Sequence, residues 1–178
     1  MEGLKKHRQD GRQVSSGSRT VTTGFSAFCL TPTTEIGVDL AALERVVARP
    51  VAAGVDSMAV LGSTGGYAYL NRAERAQVLR LAVEHADGTP VIAGVGALRT
   101  RDVLQHIEDA QAAGVAAVLL APMTYQPLRD DEVYSLYQAV DAALSVPLIV
   151  YDNPTTTHVN FSDDLHGRIS RLPSVVGV

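Results

Sequence analysis

Two short segments of this sequence carry side chains suited to chemistry. Gly62-Ser63-Thr64-Gly65-Gly66 follows the apolar run Met58-Ala59-Val60-Leu61, and Tyr151-Asp152-Asn153-Pro154 follows Pro147-Leu148-Ile149-Val150. In the first segment, three glycines allow a sharp turn and let a ligand approach the backbone closely. The hydroxyls of Ser63 and Thr64, with the backbone around Gly62 and Gly65, form a donor cluster suited to a carboxylate. The same composition also describes an ordinary tight turn whose hydroxyls satisfy local backbone. Tyr151, at the end of the second run, could carry a proton as a general acid or base. A phenol ordinarily titrates near ~10, so a relay or a cation must support it at neutral pH. A tyrosine packed at a rim fits the same pattern, and Asp152 and Asn153 suit a turn.

Other polar groups read more simply. Asp130, Asp131 and Glu132 open a helical pattern, where acidic residues cap the helix and complement its dipole rather than hold a metal. His158 lies close to a strand end and could meet a substrate, although a plain loop histidine fits as well. Gly94-Val95-Gly96 is too short for a dinucleotide loop and reads as a turn. Cys29, the single cysteine, sits in an apolar run and is expected to be a buried thiol. No metal-ligand spacing and no nucleophile elbow stands out, and neither a metal nor a cofactor is expected.

These residues need a scaffold of alternating elements. Apolar runs at Phe25–Leu30, Ser57–Leu61, Pro90–Val95, Ala117–Ala121, Pro147–Tyr151 and Ser174–Val178 are continuous rather than alternating, which predicts parallel strands buried on both faces. Helical spacing fills the gaps. Leu40, Leu43, Val46, Val47 and Val51 follow a cap at Asp39, and Ala76, Leu79, Val83 and Ala86 follow Asn71. Further helices are expected over 101–113 with Thr100 as cap, over 131–144 with Asp130 as cap, and from Ser162 to about Arg171. Pro50 should kink or end the first of these helices. Ala52-Ala53-Gly54-Val55 recurs as Ala112-Ala113-Gly114-Val115, each copy a glycine cap leading into a strand. Six strands and five helices predict an incomplete (β/α)8 barrel, a fold whose active sites lie at the C-terminal ends of its strands. A doubly wound open sheet is the rival; it would want a glycine-rich loop after its first strand, where Thr31-Pro32-Thr33-Thr34 stands instead.

The chain has 178 residues, 46% of them apolar, which is enough for one domain with a substantial core. Its net charge of -4 gives no reason to expect nucleic acid or an anionic membrane as partner. With one cysteine and no disulfide framework, a reducing cytoplasm fits. Residues 1–23 are polar and basic, without the apolar stretch of a secretory signal, and read as a disordered tail ahead of a barrel domain over 24–178. No run approaches the length of a membrane span.

Taken together, the two motifs make the chain from Gly24 to Val178 resemble the dihydrodipicolinate synthase / N-acetylneuraminate lyase family. Members of that family are (β/α)8 barrels that form a Schiff base between a strand-end lysine and a 2-keto acid, usually pyruvate. Their hallmarks are a G-[ST]-T-G-E turn after the second strand, a Y-N-x-P turn after the fifth and the lysine just after the sixth. Val175-Val176-Gly177-Val178 resembles that sixth strand, so the resemblance puts the lysine just beyond Val178. It also implies that Ser63 and Thr64 hold the keto-acid carboxylate, helped by the backbone of Gly62 and Gly65. Ser63 and Tyr151 would then form a proton relay, and the enzyme would be a lyase or aldolase working as a homotetramer.

Three positions depart from the family pattern. Gly66 stands where a glutamate is expected, and Thr124 stands where synthases carry a relay tyrosine. Thr156 stands where synthases carry an arginine for the carboxylate of the aldehyde substrate, and one hydroxyl does not replace a bidentate guanidinium. The expected enzyme is therefore a paralogue acting on another keto acid rather than a lysine-biosynthetic synthase. A truncated, non-catalytic member that binds a small carboxylate or partner chains is the alternative. A barrel enzyme that uses Tyr151 as a base without pyruvate is a third.

Overall fold

The computed structural model describes residues 21–178. Six parallel strands form one sheet in the order β1 (Ser26–Phe28), β4 (Ser57–Val60), β5 (Val91–Gly94), β6 (Ala117–Leu120), β7 (Leu148–Val150) and β8 (Val175–Gly177). Two short strands, β2 (Thr33–Thr34) and β3 (Gly37–Val38), make a separate antiparallel hairpin between β1 and the first long helix. Strand order follows chain order with no reversal. A doubly wound sheet reverses its order at a switch point, so the topology is that of a partial (β/α)8 barrel.

Long helices connect the strands at Leu40–Ala53, Arg72–Glu84, Thr100–Ala113, Asp130–Ala143 and Asp163–Ile169. Local chemistry sets their ends. Asp39 accepts from the Ala42 amide, and Asn71 and Glu74 form a reciprocal capping box. Gly54 and Gly114 close their helices in the left-handed conformation, as the repeated Ala-Ala-Gly-Val motif predicts. Two expected caps lie one residue away, because Thr100 and Asp130 are the first helical residues and Arg99 and Arg129 precede them. Pro50 does not end its helix; it falls in the last turn, and the helix runs on to Ala53.

The sheet separates two apolar regions. One face of the strands, with Met58, Val60, Ala93, Val118, Leu120 and Val150, packs against the helices. The other, with Ala59, Ile92, Ala117 and Leu119, lines the barrel interior, where Val21 joins it. Burial on both faces holds in full for β4, β5 and β6. It does not hold for β1 or β8, which each pair on one side only; Phe28 in β1 is 47% exposed and all of β8 is only partly buried. Val21, three residues before the Gly24 boundary, packs into this interior cluster; residues 1–20 of the expected tail lie outside the described residues.

Candidate active site

Ser63 lies in the turn after β4 and Tyr151 in the segment after β7, with two strands between them in the sheet. The curvature of the sheet closes that separation: the Ser63 hydroxyl donates to the Tyr151 phenol oxygen at 2.9 Å. Asn153 Nδ2 donates to the same oxygen at 3.1 Å. Two donors on one phenol oxygen favour its ionised form. Partial burial pushes the Tyr151 phenol up, but the hydrogen bonds from Ser63, Asn153 and Thr156 outweigh it and leave Tyr151 below an ordinary tyrosine. Hydroxyls both donate and accept, so the Ser63–Tyr151 pair can pass a proton in either direction.

The backbone holds this pair firmly. The Tyr151 amide donates to the Leu120 carbonyl at 3.0 Å, and the buried Tyr137 phenol donates to that carbonyl at 2.9 Å. Asp152 points elsewhere: its carboxylate meets His166 Nε2 at 3.0 Å, and Phe161 stacks on that imidazole with centroids 5.0 Å apart. Asp152 thus ties the loop to the helix Asp163–Ile169.

The glycine turn owes its shape to two close approaches. A side chain at Gly65 would put its Cβ 2.9 Å from the Leu61 amide nitrogen. Gly66 is left-handed, at φ 62°, and its amide donates to the Ser63 carbonyl at 3.1 Å. The amides of Ser63 and Thr64 donate to no backbone carbonyl among the described residues. These amides and the exposed Thr64 hydroxyl make a group of donors at the turn, while the Ser63 hydroxyl is engaged with Tyr151. Leu61, just before the turn, is itself at φ 58° despite its side chain, and a Cβ on Gly94 would come 1.8 Å from the Leu61 carbonyl oxygen. The turn and the end of β5 therefore fit against each other backbone to backbone.

Gly62, Ser63 and Tyr151 line one small cavity of about 10 Å³, together with Tyr67, Gly94 and Gly96. Thr64 and Gly65 are not among its lining residues, and Gly65 instead faces a shallow groove with Thr31, Gly66 and Tyr69. His158 is exposed and left-handed at the end of the short helix Pro154–Thr157. Asp130, Asp131 and Glu132 occupy a helix's first turn: Asp130 accepts from Ser162 at 2.6 Å, Asp131 pairs with Arg168 at 2.9 Å and Glu132 accepts from the Arg129 amide at 2.9 Å. Cys29 is buried, which pushes its thiol up.

Two residues next to this site have no counterpart in the sequence reading. Arg75 is 4% exposed and donates to the carbonyls of Gly94 at 2.8 Å and Gly96 at 2.9 Å. Burial lowers its pKa to about 10, only partly opposed by Tyr67 and Asp109. Its guanidinium lies over the Tyr67 ring, 5.5 Å from the centroid. A signal for Arg75 was present: it shares one helical face with the buried Val78, Leu79 and Ala82, where an arginine is out of place unless it reaches carbonyls. Tyr67 carried no comparable signal.

The sequence profile of the dihydrodipicolinate synthetase family matches residues 21–178. A 4-hydroxy-tetrahydrodipicolinate synthase of Phenylobacterium zucineum is 35% identical over 150 residues, which is 84% of this chain and 51% of that protein. Among solved structures, a dihydrodipicolinate synthase of Agrobacterium tumefaciens superposes with a TM-score of 0.86 at 43% identity, over 89% of this chain and 54% of that one. A dihydrodipicolinate synthase of Acinetobacter baumannii, solved in complex with pyruvate, superposes with a TM-score of 0.81 at 32% identity, over 86% of this chain and 54% of that one. The chain spans about half the length of the curated relatives it matches. Among the described residues, no helix is long and apolar enough to cross a membrane.

Proposed function

The chain belongs to the dihydrodipicolinate synthetase family, and from that premise we propose that it is part of a Schiff-base-forming lyase or aldolase acting on pyruvate or another 2-keto acid. The observation that carries the reading is the 2.9 Å hydrogen bond between Ser63 and Tyr151 across the mouth of the barrel. In this reading the hydroxyls of Ser63 and Thr64 and the amides of that turn bind the keto-acid carboxylate, with Gly62 and Gly65 giving the turn its shape. Tyr151 delivers a proton to the carbonyl-derived oxygen as it leaves as water, and Ser63, which donates to the Tyr151 oxygen, passes a proton back to it. The attacking amine is a lysine that follows β8; in this sequence lysine occurs only as Lys5 and Lys6, outside the described residues. A partly desolvated barrel mouth favours the neutral amine that must attack.

The second substrate is proposed to differ from that of the lysine-biosynthetic synthases. Thr156 bonds to the Asn153 carbonyl at 3.2 Å and supports Tyr151, so the position that holds an arginine in the synthases offers no cation here. Thr124 is likewise turned to the Gln126 carbonyl. A homotetramer in the cytoplasm belongs to the same proposal and rests on the family likeness alone.

The test is intact mass of the full-length protein after incubation with pyruvate and borohydride. One added reduced pyruvate, lost when the lysine after β8 is replaced by alanine, supports the aldolase class. No adduct with pyruvate or with a panel of longer 2-keto acids refutes it and leaves the non-catalytic alternative.

A further inference from the structure

Tyr67 is a large side chain to which neither the family likeness nor the proposed relay gives a task. It opens the short helix Tyr67–Tyr69 after the glycine turn, is 8% exposed, and lines the same cavity as Ser63 and Tyr151. At about 10 Å³ the cavity holds one water or one substrate oxygen and nothing larger. Tyr67 makes no hydrogen bond to any described residue, and its phenol oxygen keeps some contact with solvent. Its ring is fixed on two sides. Arg75 covers it with the guanidinium 5.5 Å from the centroid, and a Cβ on Gly96 would come 3.2 Å from its Cε2.

Among the described residues, Tyr67 and Tyr151 are the phenols that line this cavity. Thr124, where the likeness leads one to expect a tyrosine, spends its hydroxyl on the Gln126 carbonyl. Its neighbour Tyr125 is 90% exposed and is not among the cavity's lining residues.

We infer that Tyr67 is the second phenol of the proton relay, a neutral donor that reaches the Tyr151 oxygen across one water-sized gap and supports it once Tyr151 has given up its proton. The inference rests on the reading of Tyr151 as the proton carrier. The electrostatics run the same way. Burial raises Tyr67, Arg75 partly opposes that, and Tyr151 adds to the rise; these two are the ionisable groups that act on it. The hydrogen bonds on Tyr151 lower it. Two groups whose surroundings push them apart take opposite parts: Tyr151 ionises first, and Tyr67 stays protonated and donates. Tyr67 is thus a positioning residue that acts through Tyr151.

Tyr67→Phe keeps the ring, its packing on Gly96 and its contact with Arg75, and removes only the oxygen. The readout is the titration of Tyr151 in protein labelled with 13C at tyrosine Cζ, with Tyr151→Phe identifying the resonance. In Tyr67→Phe the Tyr151 midpoint rises by roughly half a pH unit or more, because its phenolate has lost a donor. An unchanged midpoint overturns the inference whether or not the protein turns over a keto acid. Turnover separates the two readings. If Tyr151→Phe is inactive while Tyr67→Phe keeps the parental kcat and pH profile, Tyr67 has no part in the relay and the aldolase reading stands. If Tyr67→Phe lowers kcat roughly tenfold or more at nearly constant KM, the inference is supported. A full-length protein inert toward every keto acid removes the aldolase reading, and the titration still decides for or against the Tyr67–Tyr151 coupling.

Discussion

Replacing Arg75 by methionine tests whether the end of β5 is held in place from outside the barrel. The side chain reaches from the helix Arg72–Glu84 to the carbonyls of Gly94 and Gly96, at 2.8 and 2.9 Å, and its Nε has no partner. Two opposing effects decide the outcome. Burial lowers the guanidinium to about 10 from 12.5, which makes its charge cost about 3 kcal/mol in the fold. Against this stand two charge-assisted hydrogen bonds of about 2 kcal/mol each and a contact with the Tyr67 ring of about 1 kcal/mol. Methionine fills similar space and removes the buried charge, but it leaves both carbonyls without their donor. The net expectation is a loss of about 2 kcal/mol, read as a lower urea midpoint at constant m-value. A second readout is specific to the charge. His106 is lowered to about 4, chiefly by burial and next by Arg75. In Arg75→Met its midpoint must rise, and proton NMR of the imidazole measures it. A variant as stable as the parent, with His106 unmoved, would show that Arg75 neither holds the β5 carbonyls nor acts on its neighbours.

Three further outcomes follow from the same geometry. Ser63→Ala removes one donor from the Tyr151 oxygen, so the Tyr151 midpoint rises and pyruvate trapping in the full-length protein slows roughly 100-fold; trapping at the parental rate refutes the relay. Gly94→Ala puts a methyl 1.8 Å from the Leu61 carbonyl oxygen, in a contact between two backbones that cannot yield cheaply. A loss above about 4 kcal/mol is expected, and a variant that melts within a few degrees of the parent contradicts the close approach. His106 is neutral in the fold down to about pH 4, whereas the unfolded chain takes up that proton near 6.5. The unfolded state therefore binds more protons between those values, and stability present above pH 6.5 is lost as the pH falls through 6.5 toward 4. His106→Gln flattens that limb of a urea-midpoint profile; an unchanged slope assigns the acid loss to other groups.

Much of the frame could be read from residue order because it rests on local, repeated signals. Continuous runs such as Ala117-Val118-Leu119-Leu120 must be covered on both faces, which only a parallel sheet wrapped by helices provides. Asp39, Asn71 and Ser162 marked three helix starts, because an oxygen in that place satisfies an otherwise orphaned amide. The signal failed where the deciding contact is distant. Nothing near Arg75 in sequence points to Gly94 and Gly96, and nothing near Tyr67 points to a cavity shared with Tyr151, since both depend on how distant elements pack. Pro50 does not end its helix because distance to the helix end, not composition, sets what a proline disrupts; so late in the helix, its ring has little to break. The hairpin Thr33–Thr34 with Gly37–Val38 escaped for lack of length, since two residues a side carry no periodicity.

The sheet of residues 21–178 has two unsated rims, one along β1 and one along β8. Taken alone, a polypeptide of these 178 residues would be a colloid with adhesive edges, and what would keep its copies apart in water is their shared sign of charge. That repulsion is slight, at -4 near neutrality, and vanishes around pH 5.7. The same mildly acidic range is where His106 begins to draw protons into the unfolded state. Crowding of edges and loosening of the fold thus arrive together on acidification. Clouding of a concentrated solution should begin there, sooner at higher concentration, and the span is best handled in alkaline, dilute buffer.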